Sequence, residues 1–334
     1  MSQNTEPDEA AATNVSSARW ALVLTLWPRL QPYARIAGFL VTGAALTYVG
    51  VYLYGLIRTQ GAALLTAENL TRVAIGSLVY ALTGFLLAIA WINIVNALSD
   101  LKLSLKDGIC IYAVTQVFKY LPSNVLHAVG RYGMTKARGL SHRAVLLAMG
   151  GEMLLISLAA ATLVVATLAA VFERTLPDLV LGADWRAGVF AVAVVAGLVG
   201  LVAHAFLRNR RAPLRLGLSY LMFVAFFLIS GMIAVGLLYG LSWTSVSKEA
   251  PLIIGAIAAA WLGGWVTPGA SSGVGVREAI IILLLSPHIG GDSAALLAVT
   301  YRIVTTAGDL AFALVGLLMA RLIGNGGEPP ARQG

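Results

Sequence analysis

Charged residues make up only 11% of this 334-residue chain, against about 25% in a soluble domain. That shortage leaves too little polar surface to cover a water-facing globule. It excludes a cytosolic enzyme, a secreted disulfide scaffold and a nucleic-acid-binding domain. Cysteine is almost absent, and the single Cys110 rules out an internal disulfide and a thiolate cage for a metal. The four histidines, at 127, 142, 204 and 288, show no ligand spacing such as HExxH, so no metal or other cofactor is expected. Acidic residues number 15 against 23 Lys and Arg, a net charge of +8. In a soluble protein this would suggest a polyanion partner. In a membrane protein it follows from the collection of Lys and Arg in cytoplasmic loops, and no nucleic-acid partner is expected.

What is abundant is hydrophobic sequence, 59% of the residues, with a mean hydropathy of +0.84. The apolar runs are too long and continuous for the alternating segments of a barrel. A helical membrane protein remains, since backbone polar groups in lipid must be satisfied within helices. About 20 apolar residues cross the hydrocarbon core. Segments 36–57, 73–99, 144–172, 187–207, 216–247 and 293–322 meet that length and predict six full spans. The first 18 residues are polar and read as a disordered tail, with no cleavable signal peptide before the first span.

Two other regions have short apolar limbs interrupted by Pro and small polar residues. One runs 108–118 into Lys119-Tyr-Leu-Pro122-Ser-Asn124, and the other 251–266 into Thr267-Pro268-Gly269-Ala-Ser-Ser-Gly273. Pro breaks a helix, and Gly and Ser permit close backbone approach. Both read as re-entrant helical hairpins, with backbone breaks at Pro122, Pro268, Gly269, Gly273 and Gly275. Pro122 precedes Arg131 by nine residues and Pro268 precedes Arg277 by nine, while Ala144–Glu152 aligns with Ala294–Arg302. The order span, span, hairpin, span therefore occurs twice.

The expected fold is an all-α polytopic membrane protein of two repeats, 33–172 and 184–323. A polar N-terminal tail with an interfacial segment (1–32) and a disordered C-terminal tail (324–334) flank them. The Arg208–Arg215 cluster falls inside and the acidic loop of Glu173, Asp178 and Asp184 outside, which places both termini in the cytoplasm. Three crossings per repeat is an odd number, so the second repeat is inverted, as in many alternating-access transporters. If both hairpin limbs cross fully, the count rises to eight to ten and the inversion must be redone.

Intramembrane charges cost about 2.5–3.5 kcal/mol on insertion scales and are functional candidates by default. Here they are Lys119, Glu152, Arg302 and Asp309, with Arg131, Arg277 and Glu278 at the hairpins. Equivalent places in the two repeats suggest an ion pair between Glu152 and Arg302, which would either lock the halves together or serve function. Glu152 as a proton carrier is a further alternative. Arg131 and Arg277 each follow a Pro break beside glycine, and a guanidinium near a half-helix N-terminus is a good phosphate site. The bland alternative is an Arg snorkelling from lipid. Asp309 reads alternatively as a helix–helix hydrogen-bond acceptor, His127 and His288 as structural, and Trp243, Trp261 and Trp265 as interface anchors or packing groups.

Two segments also resemble a known family. Thr267-Pro-Gly-Ala-Ser-Ser-Gly-Val-Gly-Val-Arg-Glu278, followed by Gly290 and Tyr301-Arg302, resembles the "PGG-x-G-x-RE … G … yR" signature. Tyr120-Leu-Pro-Ser-Asn-Val, Gly130-Arg131 and Gly139-Leu-Ser141 resemble its upstream segment, with Ser123 where Gly is usual. The family is the flippase-like transmembrane domain of lysylphosphatidylglycerol synthase (the multiple peptide resistance factor) and its stand-alone relatives, and the likeness spans about 36–323. It implies a lipid-type substrate in the cell envelope, with Pro268, Gly269, Gly273, Gly275, Arg277, Glu278 and Arg302 at motif positions and Pro122 and Arg131 upstream. Only about a dozen polar residues follow Arg321, so aminoacyl transfer is not expected.

Together these readings point to a non-enzymatic lipid flippase of the inner (cytoplasmic) membrane. Its cargo would be an anionic phosphate-headed lipid, either a phospholipid or a polyprenyl-phosphate-linked sugar. Arg131, Arg277, Glu278 and Arg302 would form its phosphate site, and an envelope glycosyltransferase or synthase could be a partner. The alternatives are an integral-membrane glycosyltransferase and a non-catalytic partner of an envelope enzyme.

Overall fold

The computed structural model describes residues 66–120, 126–175, 212–239, 246–267 and 271–324, with the isolated positions Thr47, Val51, Tyr54 and Val195. Outside the described residues lie nearly all of the expected spans 36–57 and 187–207, and the breaks Pro122, Pro268 and Gly269. The terminal segments 1–32 and 325–334 lie there too.

Helix α1 (Ala67–Leu98) starts where Thr66 Oγ1 accepts from the Asn69 N–H at 3.3 Å, with Glu68 in the first turn. Helix α2 (Leu105–Gln116) starts in the same way: Ser104 Oγ accepts from the Asp107 N–H at 3.1 Å. A 3-10 turn, Val117–Tyr120, leads toward α3 (Leu126–Lys136). Arg138 pairs with Asp107, tying the end of α3 to the start of α2, so the two limbs run back to back. Gly139, at φ +85°, turns the chain into α4 (His142–Thr175). The second half contains α5 (Ala212–Tyr239), α6 (Val246–Val266), a 3-10 turn (Ser271–Gly273), α7 (Val276–Ile289) and α8 (Gly291–Gly324).

Among the described residues there is no strand, and five helices are long and apolar enough to cross a membrane: Ala67–Leu98, His142–Thr167, Ala212–Leu238, Glu249–Val266 and Gly291–Arg321. The chain is a multi-pass helical membrane protein. Four of these helices coincide with expected spans. The fifth, α6, differs from the sequence reading, which took 251–266 as a short hairpin limb. The helix starts upstream at Val246, takes in Lys248 and Glu249, and runs through Pro251 for 21 residues. At 1.5 Å per residue that is about 31 Å, the thickness of the hydrocarbon core. The first hairpin's leading limb, α2, has 12 residues and reaches only about 18 Å. The two hairpin regions are therefore unequal.

The helices pack with an internal correspondence. Replacing α1, α2, α3 and α4 by α5, α6, α7 and α8, and the reverse, maps the set of helix–helix contacts onto itself. Thus α2 packs on α8 as α6 packs on α4, and α1 on α8 as α5 on α4. The self-paired contacts are α1 with α5 and one 3-10 turn with the other. Ser219 Oγ of α5 donates to the Ala90 carbonyl of α1 at 2.9 Å, and Trp91, Tyr220, Phe223, Phe227 and Phe312 fill the buried interior. Where α8 crosses α1, a Cβ at Gly308 would lie 2.8 Å from the Ser77 carbonyl oxygen, so only glycine allows this approach. Leu78, Leu82, Leu154, Leu283 and Leu314 stay exposed, as a lipid-facing surface requires.

Candidate functional site

The intramembrane charges converge where the two 3-10 turns meet. On α3, Arg131 is buried, and its Nη1 donates to Glu152 Oε1 and Oε2 of α4 at 2.8 and 2.7 Å. The Tyr112 hydroxyl of α2 donates to Glu152 Oε1 at 3.0 Å, and its ring lies 3.8 Å from the Arg131 guanidinium carbon. Trp91 adds a second aromatic face at 5.5 Å. A buried ion pair is better tolerated when further hydrogen bonds engage its remaining groups; here Tyr112 shares Glu152 Oε1 and Arg131 Nε donates to Thr115 Oγ1 at 3.4 Å.

The first 3-10 turn reaches across to the second half. Lys119 Nζ lies 2.7 Å from Asp309 Oδ2 of α8, and the Tyr120 hydroxyl donates to the same oxygen. On the same helix, Arg302 Nη1 donates to the Ser272 carbonyl at 3.2 Å, and Arg302 Nε lies 3.5 Å from Glu278 Oε1. Glu278 Oε2 accepts from the Gly275 N–H at 2.6 Å, closing the start of α7.

Arg277 is the exception. Its stem lies in a slot between Gly264 of α6 and Gly273 of the second 3-10 turn. A Cβ at either would come within 2.8 Å of its Nε. The Nε is buried with no hydrogen-bond partner, and among the described residues no carboxylate pairs with this guanidinium. Trp261 stands 6.0 Å away. Four cations (Lys119, Arg131, Arg277, Arg302) thus meet three carboxylates (Glu152, Glu278, Asp309), and the three pairs leave Arg277 over.

The internal correspondence shows how the settings of Arg131 and Arg277 differ. Arg131 and Arg277 occupy matching positions, as do Glu152 and Arg302. The partner that neutralises Arg131 in the first half is an arginine in the second. The expected Glu152–Arg302 pair is therefore corrected: each residue bonds within its own half, Glu152 to Arg131 and Arg302 to Glu278. These two pairs form between α3 and α4 and between α7 and α8, whereas Lys119 and Tyr120 reach Asp309 of the other half.

These groups surround a cavity of about 190 Å³ lined by Lys119, Arg131, Glu152, Arg277 and Gly273 among others. A smaller cavity of about 30 Å³ on the other side of Arg277 is lined also by Glu278 and Arg302. Arg131, expected to hold phosphate, borders the larger cavity but is already committed to Glu152; buried donors without a partner remain on Arg277 (Nε) and Arg302 (Nη2), and of these two residues Arg277 lines the larger cavity. Gly273 and Gly275 have φ of +67° and +83°, backbone conformations that glycine adopts without strain. Among the described residues no three His, Cys, Asp or Glu converge on a metal position.

The sequence alone assigned no site role to Tyr112 or Gln116, gave Tyr120 only as part of the upstream motif, and gave His127, Trp261 and Trp265 structural roles. Gln116, His127 and both tryptophans line the larger cavity. One signal was available: Tyr112, Gln116 and Lys119 are spaced i, i+4, i+7, a polar stripe on an otherwise apolar half-helix. Compared with known proteins, the chain matches no family model and no curated protein.

Proposed function

We propose that this protein is a lipid flippase that moves an anionic, phosphate-headed lipid, a phospholipid or a polyprenyl-phosphate-linked sugar, between leaflets. The observation that carries the proposal is the unpaired Arg277 beside a cavity built from both hairpin regions. A charge buried without a counterion is costly, and an arriving phosphate removes that cost while its tails remain in lipid. Guanidinium forks match phosphate oxygens, and the start of α7 adds the positive end of a helix dipole.

The exchange symmetry of the helix contacts supports a twofold internal repeat; we read that repeat as inverted, with alternating access around a fixed central site. In that scheme the contacts of Lys119 and Tyr120 with Asp309 hold the first hairpin's tip against the opposite half and break as the halves rock. The motif likeness to the flippase-like domain of lysylphosphatidylglycerol synthase agrees with this reading, under which the protein lies in the inner membrane with both termini cytoplasmic.

The test is reconstitution. Vesicles of neutral lipid containing a head-labelled anionic phospholipid or polyprenyl phosphate are treated with an impermeant reagent that destroys only outer-leaflet label. Without flipping about half the label is protected; with the protein the fraction falls well below half. Protection unchanged from protein-free vesicles for both lipids contradicts the proposal. Formation of a glycosyl product from a lipid-linked donor would replace it with a transferase.

A further inference from the structure

The larger cavity has an aromatic wall that a phosphate does not need. Trp261 and Trp265, one turn apart on α6, lie near-parallel, with ring planes 6° apart and centroids at 6.3 Å, and both line the cavity. Trp261 is fixed from behind by the edge of Phe227, at 5.4 Å and 77°. Trp265 is 47% exposed and stands at the rim. The same cavity is also lined by hydrogen-bonding groups with capacity to spare. His127 Nδ1 is buried without a partner. The Gln116 side chain, on a buried residue, makes no hydrogen bond to a described residue.

Three kinds of group fit an aromatic wall. A cationic head would be drawn to the ring faces, but Lys119, Arg131 and Arg277 line the same cavity, and its charge sum is already positive. An acyl chain would leave His127 and Gln116 unsatisfied. A neutral ring with apolar C–H faces and hydroxyl edges satisfies both walls at once.

Building on the flippase reading, we propose that Trp261, Trp265, His127 and Gln116 form a saccharide subsite. The headgroup carries a sugar stacked on the tryptophans, joined to the phosphate that Arg277 holds. The cavity volume, about 190 Å³, is several times the ~30 Å³ share of a water molecule in the liquid, which suits one sugar ring. Trp261 also lies 6.0 Å from the Arg277 guanidinium, so the two subsites adjoin.

The full chain in nanodiscs is titrated with a polyprenyl phosphate, the same lipid bearing one hexose, and lysyl-phosphatidylglycerol, with bound lipid counted by native mass spectrometry. The expected preference for the hexosyl form over the bare phosphate is about tenfold, the scale of one aromatic stacking contact plus a hydrogen bond. Trp265→Leu, at the rim, should shrink that preference several-fold and leave bare-phosphate binding unchanged. Equal binding of the two polyprenyl lipids by the unaltered protein, an undiminished preference in Trp265→Leu, or tightest binding of the lysyl lipid overturns the saccharide subsite. If none of the lipids binds, the flippase reading itself fails.

Discussion

Arg131 and Glu152 form a closed pair, with Nη1 of one 2.8 and 2.7 Å from the two carboxylate oxygens of the other, while the position matching Glu152 in the second half is Arg302. That reversed charge gives Arg131 a carboxylate partner and leaves Arg277, among the described residues, without one.

The closed pair should behave structurally. Glu152→Gln leaves Arg131 buried without its counterion and should lower stability by about 3–5 kcal/mol, read as a fall in thermal midpoint in detergent. Adding Arg131→Gln should recover part of the loss, because both charges are then gone.

Arg302→Gln removes one positive charge beside Arg277 and should weaken binding of an anionic lipid by roughly tenfold, equivalent to about 1.4 kcal/mol. Glu278 keeps its 2.6 Å bond from the Gly275 N–H, so α7 should remain folded. Lipid titration and circular dichroism of the same preparation separate the two effects.

Asp309→Asn removes the carboxylate that Lys119 and Tyr120 share. The 3-10 turn Val117–Tyr120 should open more readily, by about 1–3 kcal/mol, seen as faster amide hydrogen exchange there than in α1.

The slot around Arg277 tests whether its position matters as well as its charge. In Gly264→Ala the new Cβ would meet Arg277 Cγ at 2.6 Å and Gly273 Cα at 3.2 Å. Arg277 must move, at a stability cost of about 1–3 kcal/mol, and leaflet exchange should fall while overall helicity is retained.

Much of this was legible in the sequence. Uncharged runs locate α1, α4, α5 and α8, because a helix in lipid must be apolar along its length. The same scarcity of charge makes Arg131, Glu152, Arg277 and Arg302 stand out. The pairing was not legible: aligned positions suggest Glu152 with Arg302, but contacts depend on which helix each hairpin folds against. Nor was the length of α6, since Lys248 and Glu249 look like a boundary until the helix is seen to continue through them. Trp261 and Trp265 fit equally well as lipid anchors until their rings are placed on a cavity wall.

The central claim is that Arg277 is the charge that draws a phosphate head through the membrane. Leaflet exchange of a head-labelled anionic lipid, measured in vesicles holding equal amounts of folded wild-type protein, Arg277→Lys and Arg277→Ala, tests it most directly. The expected result is exchange reduced at least tenfold in Arg277→Ala and partly retained in Arg277→Lys, where the charge persists without the fork. Exchange by Arg277→Ala at the wild-type rate would contradict it.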